Sequence, residues 1–396
     1  MLNHFINNQN IMKHTQLILA AALVALAGCS KENIDLTGQN SLDNEIGFNA
    51  VTKKATKAND AIITVSEYGH DNSFKVWGWQ TAKDGDSGDN VAFSDIADNA
   101  SSNFMSNLTI SWCKGPQNRD EAWRNSAHYY YWPYTGKIGF LAIHPSDLSS
   151  STYTALTTAW DSGNKKAKAT ITNYTISQDD PSTQAVEADN STVDLMFAYA
   201  AGSRTVGLVN GELGLVFKHA LSQLQFKVKT NEDYSNDVTF TVNSVELNNI
   251  ALTGTVNYAN EAIGWEAATQ DKKWYYIGDQ VVTKDLANYG AANVMIPQDA
   301  NADNASTTDL EGTTITINYT MEQTNSSAIS GKVTVAAPWT KVKEGDETYN
   351  PAVAVAAWEP GKKYVYTLNF KLNEINFAPE VTDWIEVDMS TINIFD

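Results

Sequence analysis

Short β-rich runs separated by turn-forming clusters are the feature of this sequence that most constrains its fold. Residues 224–228 and 238–242 alternate apolar and polar side chains strictly, which is typical of strands with one buried face. Clusters of Asn, Asp, Ser, Thr and Gly, such as residues 83–90 and 298–309, have the chemistry of loops. Further runs of the β type cover residues 62–65, 74–79, 138–143, 206–209, 314–319, 332–335 and 363–370.

The order of these runs predicts an all-β chain of antiparallel sheets. Strands and helices do not alternate along the sequence, so a parallel, doubly wound sheet is disfavoured. Antiparallel sandwiches are the natural solution for many short alternating strands. Only residues 120–131 and 148–160 have patterns that allow a short helix. The loop-like stretch 178–192 precedes more regularly spaced strands, so we predict an N-terminal domain at residues 46–204 and a C-terminal domain at residues 205–396.

The amino-acid composition limits the kinds of molecule that the protein can bind. Apolar residues make up 42% of the 396 residues and aromatic residues 10%, which is enough for substantial cores. Lys and Arg number 27 against 46 Asp and Glu, a formal net charge of −19. Because so acidic a surface repels phosphate backbones, nucleic acid is excluded as a partner. Two Cys residues exclude both a disulfide-stapled mini-protein and a Cys-rich zinc module.

The first 28 residues have the pattern of a secretory signal peptide. A basic segment at residues 13–14 precedes the apolar run 17–26, and the small residues Ala27 and Gly28 follow. These three parts in this order are typical of an export signal that is removed by cleavage. The apolar run is too short to cross a bilayer comfortably as a helix.

The cleavage region predicts a lipid anchor at Cys29. The sequence Leu26-Ala27-Gly28-Cys29 resembles the bacterial lipobox, which implies that Cys29 becomes the new N-terminus and carries acyl chains such as palmitate. Acyl chains on one residue hold a protein on the outer membrane without a spanning helix, since each buried CH₂ contributes ~0.8 kcal/mol. Residues 29–45 are then a flexible tether. The alternative is an ordinary signal peptide with a chance Cys.

No pattern of residues marks a catalytic or cofactor site. The motifs of zinc proteases, nucleophile elbows and phosphate-binding loops are absent from the sequence. Cys113 fits a buried structural thiol, and His219 fits packing at a junction between a strand and a turn. The loop from Asp84 to Asp89 places carboxylates around glycines, which suits either calcium or a solvated turn. We therefore predict no catalysis and no cofactor.

Eleven Trp residues leave a second function open. Exposed aromatic rings stack on sugars, whereas sandwich cores also use many Trp side chains. The Trp residues considered are Trp77, Trp79, Trp112, Trp123, Trp132, Trp160 and Trp265. A surface glycan-binding lipoprotein is the alternative function, and a β-sandwich hydrolase is a weaker rival because no carboxylate pair is marked out.

Four stretches follow one another in a characteristic order over nearly the whole chain. They are residues 45–50 with 56–58, residues 130–133 with 138–142 and Pro145, residues 194–198 with 215–224, and residues 358–364 with 366–368 and 381–384. Together they resemble the fimbrillin-like family of Bacteroidales, the type V pilins with their anchor and tip relatives.

The resemblance implies two transthyretin-like β-sandwich domains in tandem and a structural role in cell-surface fimbriae. It also implies export as a lipidated precursor on the outer membrane. A trypsin-like protease then removes the N-terminal segment with its first strand. The vacated groove accepts a strand from a neighbouring fimbrial subunit, which is β-augmentation in physical terms. The assembled fimbria serves adhesion to host or bacterial surface ligands.

On this sequence, the resemblance implies that the removable first strand lies at residues 46–51. Ile46, Phe48 and Ala50 alternate on one face and are the candidates for the exchanged strand. Lys54 and Lys57 are the candidate processing sites, although the family's cleavage site is usually Arg. The alternative to a processing site is that these lysines lie in a solvated turn.

The C-terminal segment is the candidate donor strand. Ile385, Val387 and Met389 alternate, and so do Ile392 and Ile394. Such a segment is either the strand that a stalk subunit donates or the last strand of its own sandwich. The sequence leaves open whether the subunit is a stalk, tip or anchor protein.

Overall fold

The chain is all-β in the part that the structure describes, as predicted. The sheets are not purely antiparallel, however, because residues 47–52 pair in parallel with residues 212–217, and residues 223–230 pair in parallel with residues 363–370. The computed structural model describes residues 44–54, 64–81, 93, 96–115, 120–176, 194–209, 211–234, 237–268, 271–299, 313–336, 357–371 and 375–383. These residues form 23 strands and no α-helix, and accordingly no helix in them is long and apolar enough to cross a membrane. In chain order the strands are β1 (Gly47–Lys54), β2 (Thr64–Glu67), β3 (Ser73–Gln80), β4 (Met105–Lys114), β5 (Glu121–Arg124), β6 (Ile138–His144), β7 (Ala155–Asp161), β8 (Lys166–Thr175), β9 (Met196–Gly202), β10 (Leu208–Val209), β11 (Glu212–His219), β12 (Ser222–Thr230), β13 (Val238–Ile250), β14 (Thr253–Ala259), β15 (Ala262–Ala267), β16 (Lys272–Val282), β17 (Ala287–Met295), β18 (Gln298–Asp299), β19 (Thr314–Gln323), β20 (Ile329–Ala336), β21 (Ala357–Trp358), β22 (Lys362–Phe370) and β23 (Ile375–Asp383).

The largest sheet closes on itself to form a barrel. Its nine strands run in the order β10-β11-β9-β6-β3-β4-β5-β1-β2, and β1 also pairs with β11. The seven strands from β11 through β1 therefore form a closed ring, while β10 and β2 lie outside it. Closure removes the two free edges that an open sheet would present. Alternating strands alone do not tell a closed sheet from an open one, so the sequence could not predict this.

Strand β6 explains how the barrel joins the rest of the molecule. All seven of its residues are buried, because both faces of the strand are covered. Phe140 and Ala142 point into the barrel, whereas Leu141 and Ile143 belong to a second core outside it. A strand buried on both faces has a continuous apolar run rather than an alternating one, which is the pattern at residues 138–143.

Three four-stranded sheets build the remainder of the described chain. Their orders are β17-β12-β22-β23, β16-β13-β19-β20 and β15-β14-β8-β7, and β18 pairs with β21. Their inner faces share the second core, where the Phe226 ring stacks on Tyr366 at 5.5 Å between centroids and Phe240 lies 5.6 Å from Phe370. The strictly alternating runs at residues 224–228 and 238–242 lie in β12 and β13, as predicted.

The two predicted helices are wrong, because both regions contain strands. Residues 120–131 include β5, and residues 148–160 overlap β7, which pairs with β8 along its whole length. Leu156 and Trp160 are four positions apart, a spacing that imitates a helix. The neighbouring strand supplies hydrogen bonds and Trp160 is buried in the second core, so tertiary packing decides the conformation.

The hydrogen bonding of the barrel continues past residue 204. Strands β10 and β11 follow the predicted boundary in sequence but belong to the barrel sheet, which ends at His219. A further sheet joins β7 and β8 to β14 and β15 from the other side of that boundary. Two tandem transthyretin-like domains, divided at residues 204 and 205, remain a prediction.

Candidate functional site

Strand β1 closes the barrel and has partners on both sides. It pairs in parallel with β11 over six residues, from Gly47 with Glu212 to Thr52 with Phe217. On its other side it pairs antiparallel with β2 over four residues and with β5 through Phe48 and Trp123. Removing β1 would therefore leave backbone N–H and C=O groups without partners along β11.

The predicted face of this strand lies inside the barrel. Ile46, Phe48 and Ala50 are 3%, 0% and 2% exposed, whereas Asn49 between them is exposed. The Phe48 ring lies edge-on to Phe140 and Phe74, with centroids 5.3 Å and 6.2 Å away. Fully burying a side chain of this size contributes ~1.5–3 kcal/mol. Loss of β1 would open an apolar slot as well as a row of unpaired backbone groups.

The segment before β6 fixes the beginning of β1. The Ile46 N–H donates to the carbonyl of Tyr130 at 2.7 Å, and the Trp132 N–H donates to the carbonyl of Asn44 at 2.8 Å. Glu45 and Tyr131 form an antiparallel bridge between these two bonds. This pairing gives a structural role to the Tyr130-Tyr131-Trp132-Pro133 stretch.

A buried ion pair joins the beginning of β1 to β5. Arg124 Nη1 lies 3.0 Å from Glu45 Oε2, and the two side chains are only 8% and 5% exposed. Arg124 Nη2 also donates to the carbonyl of Asp120 at 3.1 Å. Glu212 lies close by on β11, where burial raises the pKa of its carboxyl and the charge of Arg124 lowers it. The slot thus contains a charged group at one end.

The other end of the slot holds a neutral hydrogen-bonded pair. The Tyr68 N–H donates to the carbonyl of Ala50 at 3.4 Å, and the Tyr68 ring stacks on Phe217. The Tyr68 hydroxyl is hydrogen-bonded to His144 Nδ1 and lies 3.1 Å from the carbonyl of Ser73. Burial raises the pKa of Tyr68 and lowers the pKa of His144, so both stay uncharged at neutral pH.

The other predicted residues divide into those that the structure describes and those outside it. Lys54 is the last residue of β1, and its backbone pairs with Thr64. Cys29, Lys57, the loop from Asp84 to Asp89, and the segment 385–395 lie outside the described residues. The part of the chain that is described contains no group of three or more His, Cys, Asp or Glu suited to a metal ion.

Cys113 and His219 occupy structural positions. Cys113 lies half-buried on β4, and burial raises the pKa of its thiol. That direction disfavours the thiolate that a nucleophile needs. His219 is the last residue of β11 and forms a hydrogen bond through Nδ1 to the carboxylate of Asp194.

Most of the Trp residues considered for a glycan platform are core residues. Trp77, Trp79, Trp123, Trp132 and Trp160 are buried. Trp112 is partly exposed, but its ring stacks on His70 at 3.8 Å, and Trp265 donates its indole N–H to the carbonyl of Ala220. The more exposed aromatic side chains are Tyr129, Tyr131 and Tyr134, and Arg204 lies over the Tyr134 ring at 5.8 Å.

Comparison with protein families decides the assignment. The model of the fimbrillin-like family matches residues 54–384, most of the chain. The chain belongs to the fimbrillin-like family. The resemblance inferred from the four sequence stretches is therefore confirmed. No curated protein matches the sequence significantly.

One solved structure shares the overall fold of this chain at low identity, and two others match it more weakly. A fimbrial protein from Bacteroides vulgatus superposes with a TM-score of 0.57 at 16% identity, covering 86% of this chain and 100% of that one. Candidate cell adhesion proteins from Bacteroides ovatus and Bacteroides uniformis give TM-scores of 0.43 and 0.41 at 15% and 16% identity. For both, the match covers 87% of this chain and 99% of theirs. The first likeness supports a shared overall fold.

The sequence missed several residues that build the slot. Glu45, Arg124 and Glu212 place charges at its beginning, and Leu213 and Leu215 line it together with Phe217. A signal for Arg124 was present, because the sequence contains only three Arg residues and a rare guanidinium in an acidic chain is notable. Its partner could not be found, since Glu45 lies 79 positions away.

Proposed function

We propose that this family member is a structural subunit of cell-surface fimbriae, assembled by strand exchange after proteolysis and serving adhesion. It acts without catalysis. The observation that carries the proposal is the position of β1, an N-terminal strand that closes a barrel and buries Ile46, Phe48 and Ala50 in it. An incoming strand would satisfy the backbone groups of β11 and refill the apolar slot.

One cleavage would perform two tasks. Cys29, the proposed lipidation site, and β1 both precede Lys54 and Lys57 in the sequence. A cut after either lysine would separate the mature subunit from the lipid anchor and remove the covalent link to β1 together. Assembly and release from the outer membrane would then be coupled by chain connectivity alone.

The C-terminal segment is the proposed donor. Strand β23 pairs with β22 through nine residues at the side of its sheet, and the chain continues through residues 384–396. In those residues Ile385, Val387 and Met389 alternate in the same way as Ile46, Phe48 and Ala50. A second copy would provide this segment, so that polymerisation completes each barrel in turn.

A strand-exchange assay tests the proposal. The chain from residue 30 onward is treated briefly with a trypsin-like protease and run unboiled in SDS, and intact mass gives the cleavage site. We expect cleavage at Lys54 or Lys57 and a ladder of resistant multimers. A product that loses β1 cleanly yet stays monomeric would indicate a tip subunit. A chain that is not cut there would favour an anchor protein or a glycan-binding lipoprotein.

Matched variants make the assay specific. Replacing Lys53, Lys54 and Lys57 together by Gln should abolish both cleavage and the ladder. Lys284→Gln removes an exposed lysine after β16 and should leave both unchanged. A ladder from the triple variant would contradict processing at this site.

A lipid-labelling experiment tests the anchor. Cells expressing the full chain are grown with radiolabelled palmitate, and Cys29→Ala should remove the label and the membrane association of the precursor. Cys113→Ala is the matched control and should keep both. Label that persists without Cys29 would contradict lipidation at this residue.

A glycan-binding lipoprotein is the second candidate function. The exposed Tyr129, Tyr131 and Tyr134, beside Arg204, are suited to stacking on sugar rings. Saccharide arrays with the wild-type chain and with Tyr134→Ala would test it. Binding that needs Tyr134, from a chain that stays monomeric after protease treatment, would favour this alternative.

A further inference from the structure

The buried ion pair between Arg124 and Glu45 means that a strand filling the slot must match its charge as well as its shape. Arg124 belongs to β5 and stays with the subunit, whereas Glu45 precedes β1 and leaves with it. The guanidinium keeps its charge at all ordinary pH values. Its side chain is 8% exposed with Glu45 in place. A strand that filled the slot with apolar and neutral groups alone would bury this charge without an anionic partner, which is strongly unfavourable.

We propose that Arg124 selects the incoming strand by requiring a carboxylate at one position. The strand must present Glu or Asp three positions before the residue that replaces Phe48, and an apolar residue must follow the acid directly, as Ile46 follows Glu45. This inference rests on the proposed strand exchange and adds the rule by which a partner strand is accepted.

The C-terminal segment of a second copy meets this requirement at Glu386 and at Asp388, but a register that starts from Asp388 would place the polar Thr391 and Asn393 at the positions of Phe48 and Ala50. Glu386, Val387 and Met389 have the same spacing as Glu45, Ile46 and Phe48, and Thr391 corresponds to Ala50. In the register that starts from Glu386, the donor would run parallel to β11, with Glu386 at the position of Glu45 and Asp388 at the position of Gly47, beside Glu212.

Shifting the strand by one residue would move its apolar side chains to the other face of the sheet. Shifting it by two residues keeps the face and places Ile385, Val387 and Met389 at the positions of Ile46, Phe48 and Ala50, but Trp384 then replaces Glu45. The carboxylate required by Arg124 therefore decides between these two registers.

Glu212 is the group that would compete with the strand's carboxylate. It pairs with Gly47 across β1 and β11, and a side chain at position 47 would begin 3.5 Å from its Cγ. Burial raises the pKa of Glu212 and the charge of Arg124 opposes that rise, so the two side chains interact. The carbonyl of Asp120 also accepts from Arg124 but carries no full charge. The test must therefore separate Glu212 from the incoming acid.

Peptide binding to the cut subunit tests the requirement. The chain from residue 30 is cleaved by the protease, β1 is removed in mild denaturant, and fluorescent peptides are titrated into the refolded subunit. The peptides are residues 44–54, the same peptide with Glu45→Gln, and residues 384–396 with and without Glu386→Gln. We expect each Gln variant to bind at least about 100-fold more weakly than its parent. Asn49→Gln in the first peptide changes an exposed position and should leave affinity within about twofold.

A second receptor, the Arg124→Leu variant, shows whether a Gln peptide binds weakly because of the charge of Arg124 or because the peptide itself is impaired. In Arg124→Leu the guanidinium is replaced by an apolar side chain, so a Glu peptide would bury its carboxylate without a cationic partner, which is unfavourable. The Gln peptides should bind this receptor as tightly as the Glu peptides do, or more tightly. Equal losses on both receptors would overturn the proposal. The comparison of peptides on the wild-type receptor stays decisive even where Arg124→Leu fails to fold.

The remaining outcomes are also decisive. If the Glu45→Gln peptide and its parent bound the wild-type receptor equally well, the selection rule would be overturned. The proposed strand exchange would still stand. A loss that appears only in the Glu212→Gln receptor would show that Glu212 neutralises Arg124, which overturns the rule as well. A cut subunit that binds neither parent peptide would instead refute the proposed strand exchange.

Discussion

The barrel and the C-terminal sheets differ in the polar groups that they bury. Glu45, Arg124 and His144 are buried in or beside the barrel. In the described part of residues 222–383, the buried polar side chains are neutral, such as Gln225, Gln298 and Asn369. A buried charge depends on the segment that carries its counter-charge, and for Arg124 that segment is the one that begins β1. The barrel is therefore the part of the described molecule in which losing β1, with Glu45 before it, would leave the charge of Arg124 buried without its partner.

Strands β1 and β23, the strand to be replaced and the strand before the donor in the proposed exchange, differ in their neighbours. Strand β1 lies between neighbours, with β11 on one side and β2 and β5 on the other. Among the described residues, β23 pairs with β22 alone. One strand completes a ring and the other lies at the side of an open sheet. Loss of the first therefore leaves a slot, and loss of the second leaves another edge.

The largest expected effect comes from deleting either β1 or β23 and comparing the protection of the barrel amides from hydrogen exchange. A chain that begins at residue 58 lacks β1 and the buried Ile46 and Phe48, each worth ~1.5–3 kcal/mol, a sum comparable to the stability of a marginally stable domain. We expect the amides of β11 and β5 to lose their protection from hydrogen exchange. A chain that ends at residue 374 should keep that protection. Equal protection of β11 in both chains would contradict the closing role of β1.

The next largest effect tests the buried charge in the intact chain. Glu45→Gln leaves Arg124 without its anion, and breaking a buried pair in this way costs ~3–5 kcal/mol. Glu261→Gln breaks the pair with Lys166, whose side chains are 31% and 39% exposed, and should cost ~0–1 kcal/mol. Urea unfolding monitored by Trp fluorescence measures both. Similar losses in the two variants would contradict the special position of Arg124.

A smaller effect is expected from a neutral polar contact in the C-terminal half. The Asn369 side-chain NH₂ donates to Asn231 Oδ1 at 2.8 Å, and Asn369 is buried. Asn369→Ala should reduce the free energy of unfolding by ~1–2 kcal/mol, because one buried hydrogen bond is lost. Asn288→Ala, at an exposed position of β17, should change it by less than ~0.5 kcal/mol. A loss for Asn369 as large as that for Glu45 would remove the contrast between the halves.

The smallest effect is a pH dependence that belongs to the barrel. Burial lowers the pKa of His144 below its ordinary value of 6.5, so the unfolded chain binds protons that the folded chain does not. Stability is therefore present above pH 6.5 and falls as the pH drops through 6.5 toward the lowered value. Asp194, Asp147 and His219 also act on this imidazole. His144→Asn should flatten the dependence between pH 5 and 7 in thermal unfolding, and an unchanged slope would refute this assignment.

The sequence predicted the strands of the molecule better than their partners. Residues 224–228 alternate and form β12, and Ile46, Phe48 and Ala50 share a buried face as expected. Alternation is a local property, so it survives in the sequence. The pairing of β1 with β11 is not local, and nothing near Gly47 points to Glu212. The closed barrel was therefore beyond sequence reasoning.

The sequence predicted the apolar face of the candidate site but not its charged residues. An alternating strand has a period, whereas Glu45 and Arg124 are single residues that become partners only in the fold. The wrong helix at residues 148–160 has a similar origin. Leu156 and Trp160 fit a helical spacing, and only β8 beside them makes the strand favourable. Both errors come from contacts between residues far apart in the chain.

The parallel pairing of β1 with β11 affects the order in which the chain can fold. Residues 47–52 are synthesised first, but their partners at residues 212–217 emerge only after most of the barrel has been made. Contacts with such sequence separation form late, because the intervening chain must be ordered before the contact is gained. Strand β1 is thus translated before the other barrel strands but can pair with β11 only after all of them have been translated. The barrel therefore cannot close before β11, its last strand in chain order, has been translated, and until then the nascent chain keeps the partners of β1 incomplete.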